Sequence, residues 1–454
     1  MSASKGFAGD LLQPRLCLIA ATALLASCGD MARLPVEAGM GPSPALPEPT
    51  HALIPTVNVA PAKGWPETAK PTSMPGTIVT AFARGLDHPR WLLALPNGDV
   101  LVAETNAPPK PDDGRGIKAW FMKLFMRQAG AATASADRIT LLRDTNGDGV
   151  ADQRFTFAEG LHSPFGMALV GNDLYVANSD AVVRLRYVTG QTRAASEPVE
   201  IVALPAGPIN HHWTKNLIAS DDGARLYVTV GSNSNAGENG LDQEEGRAAI
   251  WEVDLRTGAH RVFASGLRNP NGMGWQGGAL WTVVNERDEL GSDLVPDYLT
   301  SVQDGAFYGW PYSYYGAHVD ARVYPPRPEL VARATVPDYA LGSHTASLGL
   351  AFVDTRGAGA WLPEGAVIGQ HGSWNRNPRS GYKVIFVPFH NGTADGAPQD
   401  VLTGFLGPDG EAYGRPVGVA FDARGALLVA DDVGNVVWRV SAAPQTARAE
   451  RPAR

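Results

Sequence analysis

The sequence predicts an all-β fold, a six-bladed β-propeller, and three observations support this prediction. The chain of 454 residues contains 51 Gly and 35 Pro together with 11 Trp and 12 Tyr, a composition typical of many short strands joined by turns. A polar lead-in followed by an apolar strand recurs six times. Where a turn is marked, as at Asn97-Gly98, it is of a type that suits a tight hairpin before a second apolar strand.

The six copies of this unit are spaced irregularly along the chain. Four-stranded sheets repeated radially form a propeller, in which equivalent lead-ins gather at one end of a central channel. Two β-sandwich domains would explain the strand content but not the recurring lead-in. We therefore predict one propeller domain over residues 77–441. The lead-ins lie at residues 85–90, 160–166, 211–217, 266–272, 344–347 and 414–418.

The N-terminal residues have the pattern of an export signal. Arg15 precedes an apolar run too short for a membrane span, and residues 25–28 (LASC) resemble a bacterial lipoprotein box. We predict a lipoprotein signal peptide over residues 1–28, lipid on Cys28, and a protein that faces the periplasm from a bacterial membrane. An ordinary secretory signal cut nearby is the alternative, and it also means export. Because Cys17 would leave with the signal, no intramolecular disulfide is expected.

The regions on either side of the propeller domain lack a periodic pattern. Residues 29–76 contain ten prolines and are predicted to form a partly extended tether between membrane and domain. Residues 442–454 are predicted to be a disordered tail. The net charge of −8 gives no reason to expect nucleic acid as a partner.

Two insertions interrupt the repeat. Residues 117–127 have apolar side chains at the spacing of one helix face, which predicts a short helix that packs on the propeller or, given the lipid, lies on the membrane surface. Residues 144–152 have the oxygen-ligand spacing of a calcium loop, although Phe155 stands where the usual Glu would be. We predict structural calcium there, and a turn that binds nothing is the alternative. The candidate ligand residues are Asp144, Asn146, Asp148, Val150 and Asp152.

Cationic and imidazole side chains accumulate at the lead-ins although the protein is acidic. Imidazole titrates near neutral pH, as a general base requires, and the alternative for His211 and His212 is that they cap a turn. Arginine pairs match carboxylates, so the accumulation predicts an anionic ligand. Trp213, Trp310 and Trp374 would suit a flat ring system or belong to the core. The residues expected at the channel mouth are His212, Arg268, Asn269, His344, Arg376 and Arg415, with Lys383 close by in sequence.

Four motifs carry a family resemblance. They are residues 211–217 (HHWTKNL), 266–272 (GLRNPNG), 308–311 (YGWP) and 371–376 (HGSWNR). Together they resemble the soluble quinoprotein sugar dehydrogenases, most closely the sorbosone dehydrogenase branch of the glucose/sorbosone dehydrogenase family, over roughly residues 78–441. The resemblance implies a six-bladed propeller that binds pyrroloquinoline quinone (PQQ) with calcium.

The resemblance also implies roles for individual residues. His212 would remove the hydroxyl proton of a sugar, and Arg268 would stabilise charge on the quinone oxygen as hydride passes to the cofactor. This chain has Ser232 where glucose-oxidising members place an Asp that orients the base, so another group would orient His212. Residues expected to contact the cofactor are Arg268, Asn269, Arg415, Arg376, Lys383, His344 and Trp374. The metal would be held partly by backbone carbonyls, with Glu286, Arg287 and Asp288 as candidates.

The expected function is oxidation of a sugar or sugar-derived aldehyde or alcohol, followed by electron transfer to a periplasmic cytochrome or a membrane quinone. Two alternatives belong to other classes. A calcium-dependent lactonase would need a metal ringed by side-chain carboxylates and amides in the channel. A non-catalytic propeller acting as a binding scaffold would take up no cofactor and would be indifferent to changes at His212.

Overall fold

The computed structural model describes residues 30–50, 56–109, 133–354 and 361–444. In these ranges nearly all regular structure is β-strand, and six sheets form a ring around a channel, which confirms the predicted six-bladed propeller. The described helices are short 3₁₀ turns at Val36–Gly39 and Leu241–Glu244 and one α-helical turn at Pro328–Val331. Within the described residues no helix is long and apolar enough to cross a membrane.

The first three blades follow one another along the chain, each after its own lead-in. The strands before them are β1 (Met40–Gly41), β2 (Thr72–Ser73) and β3 (Thr77–Arg84). Blade 1 consists of β4 (Pro89–Ala94), β5 (Val100–Glu104), β6 (Arg138–Arg143) and β7 (Gln153–Ala158). Blade 2 consists of β8 (Met167–Val170), β9 (Asp173–Ala177), β10 (Ala181–Arg186) and β11 (Val199–Ala203). Blade 3 consists of β12 (Leu217–Ala219), β13 (Arg225–Val230), β14 (Ala249–Asp254) and β15 (His260–Ser265).

The remaining blades carry additions, and the last one closes the ring. Blade 4 includes β16 (Pro270–Gln276), β17 (Ala279–Val284), β18 (Pro296–Val302), the hairpin β19 (Ser313–Tyr314) and β20 (His318–Val319), and β21 (Tyr339–Ser343). Blade 5 includes β22 (Ser347–Phe352), β23 (Gly365–Gln370), β24 (Lys383–His390), β25 (Thr393–Ala394) and β26 (Gln399–Thr403). Blade 6 consists of β27 (Pro416–Phe421), β28 (Leu427–Asp431), β29 (Val436–Ala442) and β3. The last strand of the domain sequence, β29, thus pairs with its first strand, β3, and this pairing closes the ring.

The recurring glycines of the lead-ins let neighbouring inner strands approach closely. A Cβ on Gly272 would lie 2.7 Å from the carbonyl oxygen of Leu348, and one on Gly418 would lie 2.7 Å from the carbonyl oxygen of Arg90. No side chain fits at either point, because the backbone of the next blade occupies the space. Behind the inner strands, separate clusters of buried apolar side chains fill the spaces between blades.

All six inner strands begin at the same end of the propeller, which we call the channel face. The opposite end, the far face, carries the turns between first and second strands. The 144–152 loop lies at the far face, since Nη1 of Arg424, in the turn between β27 and β28, donates to the carbonyl oxygen of Gly147 at 2.8 Å. Any metal in this loop would therefore be remote from the channel mouth.

The segment predicted to be a tether packs on the propeller instead. We call its described residues, 30–50 and 56–76, the N-terminal strap. Within it, β1 pairs with β21 of blade 4 and β2 pairs with β26 of blade 5. The proline content had suggested a chain without partners, but strands and loops of the propeller, together with a few contacts within the segment, supply hydrogen bonds that fix it. The signal peptide, the 117–127 insertion and residues 445–454 lie outside the described residues.

Candidate active site

His212 enters the channel face just before β12 and is oriented by Ser232. Its Nδ1 lies 2.7 Å from the main-chain oxygen of Ser232 and 3.0 Å from Oγ of the same residue. A carbonyl oxygen can only accept, so Nδ1 carries the proton and Nε2 carries the lone pair. The Ser232 hydroxyl donates to the carbonyl oxygen of Ser234 at 2.7 Å, which leaves its oxygen free to accept from the imidazole. We expected another group to orient His212 because Ser232 replaces an Asp, but Ser232 itself makes this contact, mainly through its main-chain oxygen.

The surroundings of His212 keep its imidazole neutral. Burial holds its pKa well below the usual value of 6.5, and the positive charge of Arg268 acts in the same direction. Beneath it, the fully buried Lys215 donates to the carbonyl oxygen of His212 at 3.1 Å. Burial and the charge of Arg247 also hold the pKa of Lys215 well below its ordinary value. Sequence analysis did not single out this lysine.

Asn269 is the immediate neighbour of His212, and Gly231 makes their approach possible. A Cβ on Gly231 would lie 2.4 Å from Oδ1 of Asn269 and 2.5 Å from Cβ of His212. The Oδ1 atom of Asn269 is buried and has no hydrogen-bond partner among the described residues. A buried polar atom without a partner is rare in folded proteins and indicates a position that a ligand can complete.

Arg268 is buried beside these two residues and is held by backbone and side-chain acceptors. Its Nη1 donates to the carbonyl oxygen of Glu286 at 2.7 Å, and its Nη2 lies 3.2 Å from Oδ2 of Asp288. Asn235 accepts from Nη2 through Oδ1 at 3.0 Å and from Nε through its carbonyl oxygen at 3.2 Å. The same carbonyl accepts from the indole of Trp310 at 2.9 Å. Asn235 is therefore a positioning residue that the sequence did not reveal.

Asp288 joins Arg268 to His344 and Asn375. Its Oδ1 accepts from Nδ2 of Asn375 at 2.7 Å and lies 3.4 Å from Nδ1 of His344. Burial alone would raise the pKa of Asp288, but His344 and Arg268 lower it to about 2. Nε2 of His344 lies 2.9 Å from the carbonyl oxygen of Gly291. Burial opposes protonation of His344, yet Asp288 raises its pKa, so that an imidazolium between two acceptors fits the geometry.

The loop at 286–288 does not fit the expected metal centre. The Glu286 carbonyl accepts from Arg268, and the Asp288 carbonyl accepts from Asn235 and Arg322, both at 3.1 Å. The fully buried Arg287 binds Asp320 at 2.8 Å and serves packing rather than a metal. Among the described residues no group of three or more His, Cys, Asp or Glu side chains could hold a metal ion.

A second cluster lies across the channel face around Asp432. Its Oδ2 lies 2.9 Å from Nη1 of Arg90, 2.9 Å from Nε2 of His371 and 3.6 Å from Nε2 of His88. Burial would raise the pKa of Asp432, but His371, His88 and Arg90 hold it far below its usual range. Arg415 acts on both Arg90 and His371 electrostatically. Arg90 and His88 were missed although both lie in the first lead-in, where His88 precedes the strand proline just as Asn269 and Arg415 do in theirs.

Two residues that were predicted to contact the cofactor bind other groups of the protein. Arg376 donates to the carbonyl oxygen of Leu34 at 2.9 Å and to that of Pro378 at 2.8 Å, and so clamps the N-terminal strap. Lys383 lies 2.8 Å from the carboxylate of Asp400 on the outer strand β26. The structure thus brings His212, Arg268, Asn269, His344 and Arg415 to the channel face but not the Lys383 ammonium. Trp374 is half-buried and adjoins Asn375.

The carboxylates of the 144–152 loop are engaged within the loop. Asp144 accepts from the amides of Gly147 and Gly149 at 2.7 and 3.0 Å, and Arg424 lies 3.3 Å from it. Asp148 accepts from the amide of Val150, and Asp152 from Thr145. Asn146 donates to Asp148. These contacts describe a closed turn, and calcium binding here stays a prediction.

The fold and this channel face define a six-bladed propeller with a neutral histidine, buried arginines and an anion-compatible cluster around one pore. The chain belongs to the family described as "Domain of unknown function (DUF7133)", whose model matches residues 95–370. A second model, described as TrAA12-like, matches residues 331–443. An uncharacterized protein of Borreliella burgdorferi is 25% identical over 299 residues, which cover 63% of this chain and 77% of that protein.

Several solved structures share the fold. The Trichoderma reesei carbohydrate-active enzyme of family AA12 superposes with a TM-score of 0.66 at 20% identity, covering 85% of this chain and 99% of that one. The PQQ domain of pyranose dehydrogenase from Coprinopsis cinerea, in its holo form, gives 0.64 at 20% identity, with coverage of 85% and 100%. The PQQ-bound aldose sugar dehydrogenase of Streptomyces coelicolor gives 0.52 at 17% identity, with coverage of 82% and 99%.

Proposed function

We propose that the protein is a PQQ-dependent oxidoreductase that oxidises a sugar or a sugar-derived aldehyde or alcohol. One observation carries the proposal. The lone pair on Nε2 of His212 lies beside Asn269 and Arg268, at the same channel mouth as the arginine cluster around Asp432. A base, an electrostatic stabiliser and an anion-binding cluster are the three elements that such an oxidation needs. The names of the solved relatives with the same fold support the choice of cofactor.

The residues present fit a polycarboxylate such as PQQ. Arg90 and Arg415 both have a buried Nε atom without a hydrogen-bond partner in the described part of the chain. Arg90 is the guanidinium bound to Asp432, at 2.9 Å through Nη1, and Arg415, whose Nη2 donates to the carbonyl oxygen of Ala60 at 3.0 Å, lies within electrostatic range of Arg90. These Nε donors mark a place that an anionic ligand can complete. Arg90 and Arg415 would hold the cofactor carboxylates, Nδ2 of Asn269 would donate to a quinone oxygen, and Arg268, whose N–H groups are engaged by Asn235, Asn285, Glu286 and Asp288, would act through its charge.

Bound PQQ would supply the two-electron acceptor that takes the hydride from the substrate carbon. The protein would do the rest. His212 accepts the substrate hydroxyl proton at Nε2, and its Nδ1–H stays fixed on Ser232. Arg268 is held rigidly by Asn235 and Asp288, so its charge needs no reorganisation as negative charge develops nearby. The desolvated imidazole is neutral and ready to act as a base at pH 7.

The proposal extends to the substrate, the electron acceptor and the cellular location of the protein. Sorbosone-like aldehydes and aldoses are the substrates that the motif resemblance favours. Electrons would pass on to a periplasmic cytochrome or a membrane quinone. The protein would be exported and held at a bacterial membrane by lipid on Cys28, as the tetrapeptide at 25–28 predicts.

A binding and turnover assay tests this function. Protein beginning at residue 29, which retains every described residue, is titrated with PQQ in the presence and absence of calcium, and bleaching of an artificial electron acceptor is followed with a panel of aldoses and sugar aldehydes. We expect stoichiometric binding, and turnover that disappears in His212→Ala while binding persists. Lys383→Ala is the matched control, because Lys383 is a basic residue of blade 5 that binds Asp400 instead of the site.

The alternatives give different results in the same assay. Folded protein that binds no PQQ at micromolar concentration would overturn the proposal. Hydrolysis of lactones that depends on calcium would then favour the lactonase, although no described group of three or more His, Cys, Asp or Glu side chains could hold its metal ion. Neither activity, together with indifference to His212→Ala, would favour the binding scaffold.

A further inference from the structure

The start of the described chain is fixed to the channel face. Oδ2 of Asp30 accepts from the amide of Ser292 at 2.9 Å and from Oγ1 of Thr50 at 3.1 Å. Its carbonyl oxygen accepts from Oγ of Ser292 at 2.8 Å and from Oγ1 of Thr56 at 2.9 Å. Four hydrogen bonds on one residue hold this point of the N-terminal strap in place.

This anchoring point is close to the candidate active site. Ser292 follows Gly291, whose carbonyl oxygen lies 2.9 Å from Nε2 of His344. His344 in turn contacts Asp288, the partner of Arg268. The next residues of the strap are tied down as well, because Asp293 accepts from the amide of Arg33 at 2.7 Å. The strap therefore cannot swing away from the channel face without breaking contacts beside the site.

Exposed side chains of the kind found at membrane surfaces lie beside Asp30 in sequence and near Asp288 at the channel face. Met31, next to Asp30, is 62% exposed, and the neighbouring Arg33 is exposed as well. Tyr324 is 86% exposed and lies two residues beyond Arg322, whose Nη1 donates to the carbonyl oxygen of Asp288 at 3.1 Å. Tyrosine is enriched at membrane–water interfaces, and arginine is attracted to anionic headgroups.

We propose that the channel face of the propeller is held against the membrane surface, with a lipid bilayer as its partner. This inference rests on the proposed lipidation of Cys28. Two residues span at most about 7 Å, so a lipid on Cys28 enters the bilayer within about 7 Å of Asp30. Because the strap is bound to the propeller, the short link between Cys28 and Asp30 limits the distance between the lipid and the channel mouth. The far face, with the 144–152 loop, points away from the bilayer.

The chain offers a clean way to measure this orientation. The full-length protein is expressed in a bacterium that processes lipoproteins, and the mass of its N-terminal peptide establishes whether Cys28 carries lipid. The sequence contains two cysteines, of which Cys17 leaves with the signal and Cys28 is blocked by the lipid. A cysteine introduced by Tyr324→Cys at the channel face, or by Asp221→Cys in the exposed turn after β12 at the far face, is then the single free thiol.

Each variant is labelled with one fluorophore and reconstituted in phosphatidylcholine–phosphatidylglycerol vesicles that carry an acceptor dye on a lipid headgroup. The two probes are separated by the length of the blade strands, roughly 20 Å. We expect energy transfer to be several-fold stronger from residue 324 than from residue 221. Equal transfer, or stronger transfer from residue 221, would overturn the proposal.

A flexible Gly/Ser insertion of about 20 residues between Gly29 and Asp30 serves as the control, since it keeps the lipid but adds roughly 25 Å of reach. The difference between the two probes should then collapse, and a difference that survives the insertion would overturn the role of the strap. An N-terminal peptide without lipid would remove the basis of the orientation and overturn it. That result leaves the PQQ titration untouched, so the two failures are distinguishable.

Discussion

Asp288 and Arg268 form a buried ion pair at the centre of the channel face, with Oδ2 3.2 Å from Nη2. The same carboxylate faces His344 through Oδ1, so one anion balances two cations in a poorly solvated place. Burying charges is costly, and such a group persists where each member is paired and hydrogen-bonded. The arrangement fixes Arg268 beside Asn269 and His212, and it links blades 4 and 5 through one side chain.

Removal of the Asp288 charge should destabilise the protein. Asp288→Asn leaves Arg268 and His344 without their common anion, and we expect the free energy of unfolding to fall by about 3 to 5 kcal/mol. Urea denaturation followed by circular dichroism measures the change. Asp400→Asn, which breaks the more exposed pair with Lys383, should cost about 1 kcal/mol or less. Similar losses in the two variants would contradict the central role of Asp288.

The effect of Asp288→Asn should depend on pH in a defined direction. The folded pKa of Asp288 is about 2, below the ordinary 3.8, so its contribution is present above pH 3.8 and is lost as the pH falls through about 2. The pKa of His344 is raised, so its contribution is complete below pH 6.5 and is lost as the pH rises through the folded pKa. The stability difference between wild type and variant should peak between pH 3.8 and pH 6.5, and a maximum at pH 8 or above would refute this pairing.

The pH profile of turnover should reflect the lowered pKa of His212. Because a general base acts in its neutral form, activity should persist from pH 8 down past pH 6.5 before protonation of His212 removes it. The measurement is kcat/KM for the best sugar substrate across this range, on protein shown to stay folded. His212→Asn should lower kcat by about 10²- to 10⁴-fold. A loss of activity centred at or above pH 6.5 is the outcome that this assignment does not allow.

Gly231→Ala should lower kcat, because the added methyl group would displace His212 and Asn269. The added Cβ would meet Oδ1 of Asn269 at 2.4 Å and Cβ of His212 at 2.5 Å, so both side chains must shift. A shift of about 1 Å at a reacting group costs on the order of 10²-fold in rate. Gly39→Ala is the control, because Gly39 has no positive φ and a Cβ there would make only ordinary contacts, at 3.7 Å or more. Unchanged kcat in Gly231→Ala would show that His212 and Asn269 do not act together.

The cofactor should depend on arginines from blades 1 and 6. Arg90→Gln and Arg415→Gln are each expected to weaken PQQ binding by about 10- to 100-fold, because a charge-assisted hydrogen bond contributes about 1.5 to 3 kcal/mol. Arg424→Gln, at the far face, and Lys383→Gln, on the outer strands, should leave the affinity unchanged. Isothermal titration of PQQ into each folded variant gives the comparison. If Lys383→Gln alone weakened PQQ binding, the prediction from the sequence that Lys383 contacts the cofactor would be supported instead.

The sequence by itself determined the architecture and the identity of the main candidate base. Alternation, turn chemistry and six recurring lead-ins specify short strands in six blades, since these are local properties that each blade expresses on its own. The lead-in glycines repeat because inner strands must touch, which is why the repeat was visible at all. His212, Arg268 and Asn269 follow from their positions in the repeat and from the motif resemblance.

Only the tertiary structure decided which charged side chains contact each other. Arg376 and Lys383 carry the same formal charge as Arg90, yet the first binds the N-terminal strap and the second an outer-strand carboxylate, whereas Arg90 binds Asp432. The pairing of Asp288 with Arg268 and His344 joins residues from different blades, and the proline-rich strap finds its partners on loops some 260 residues away. Such contacts depend on where the ring closes and on which polar groups burial leaves without water, and neither is written in a local pattern.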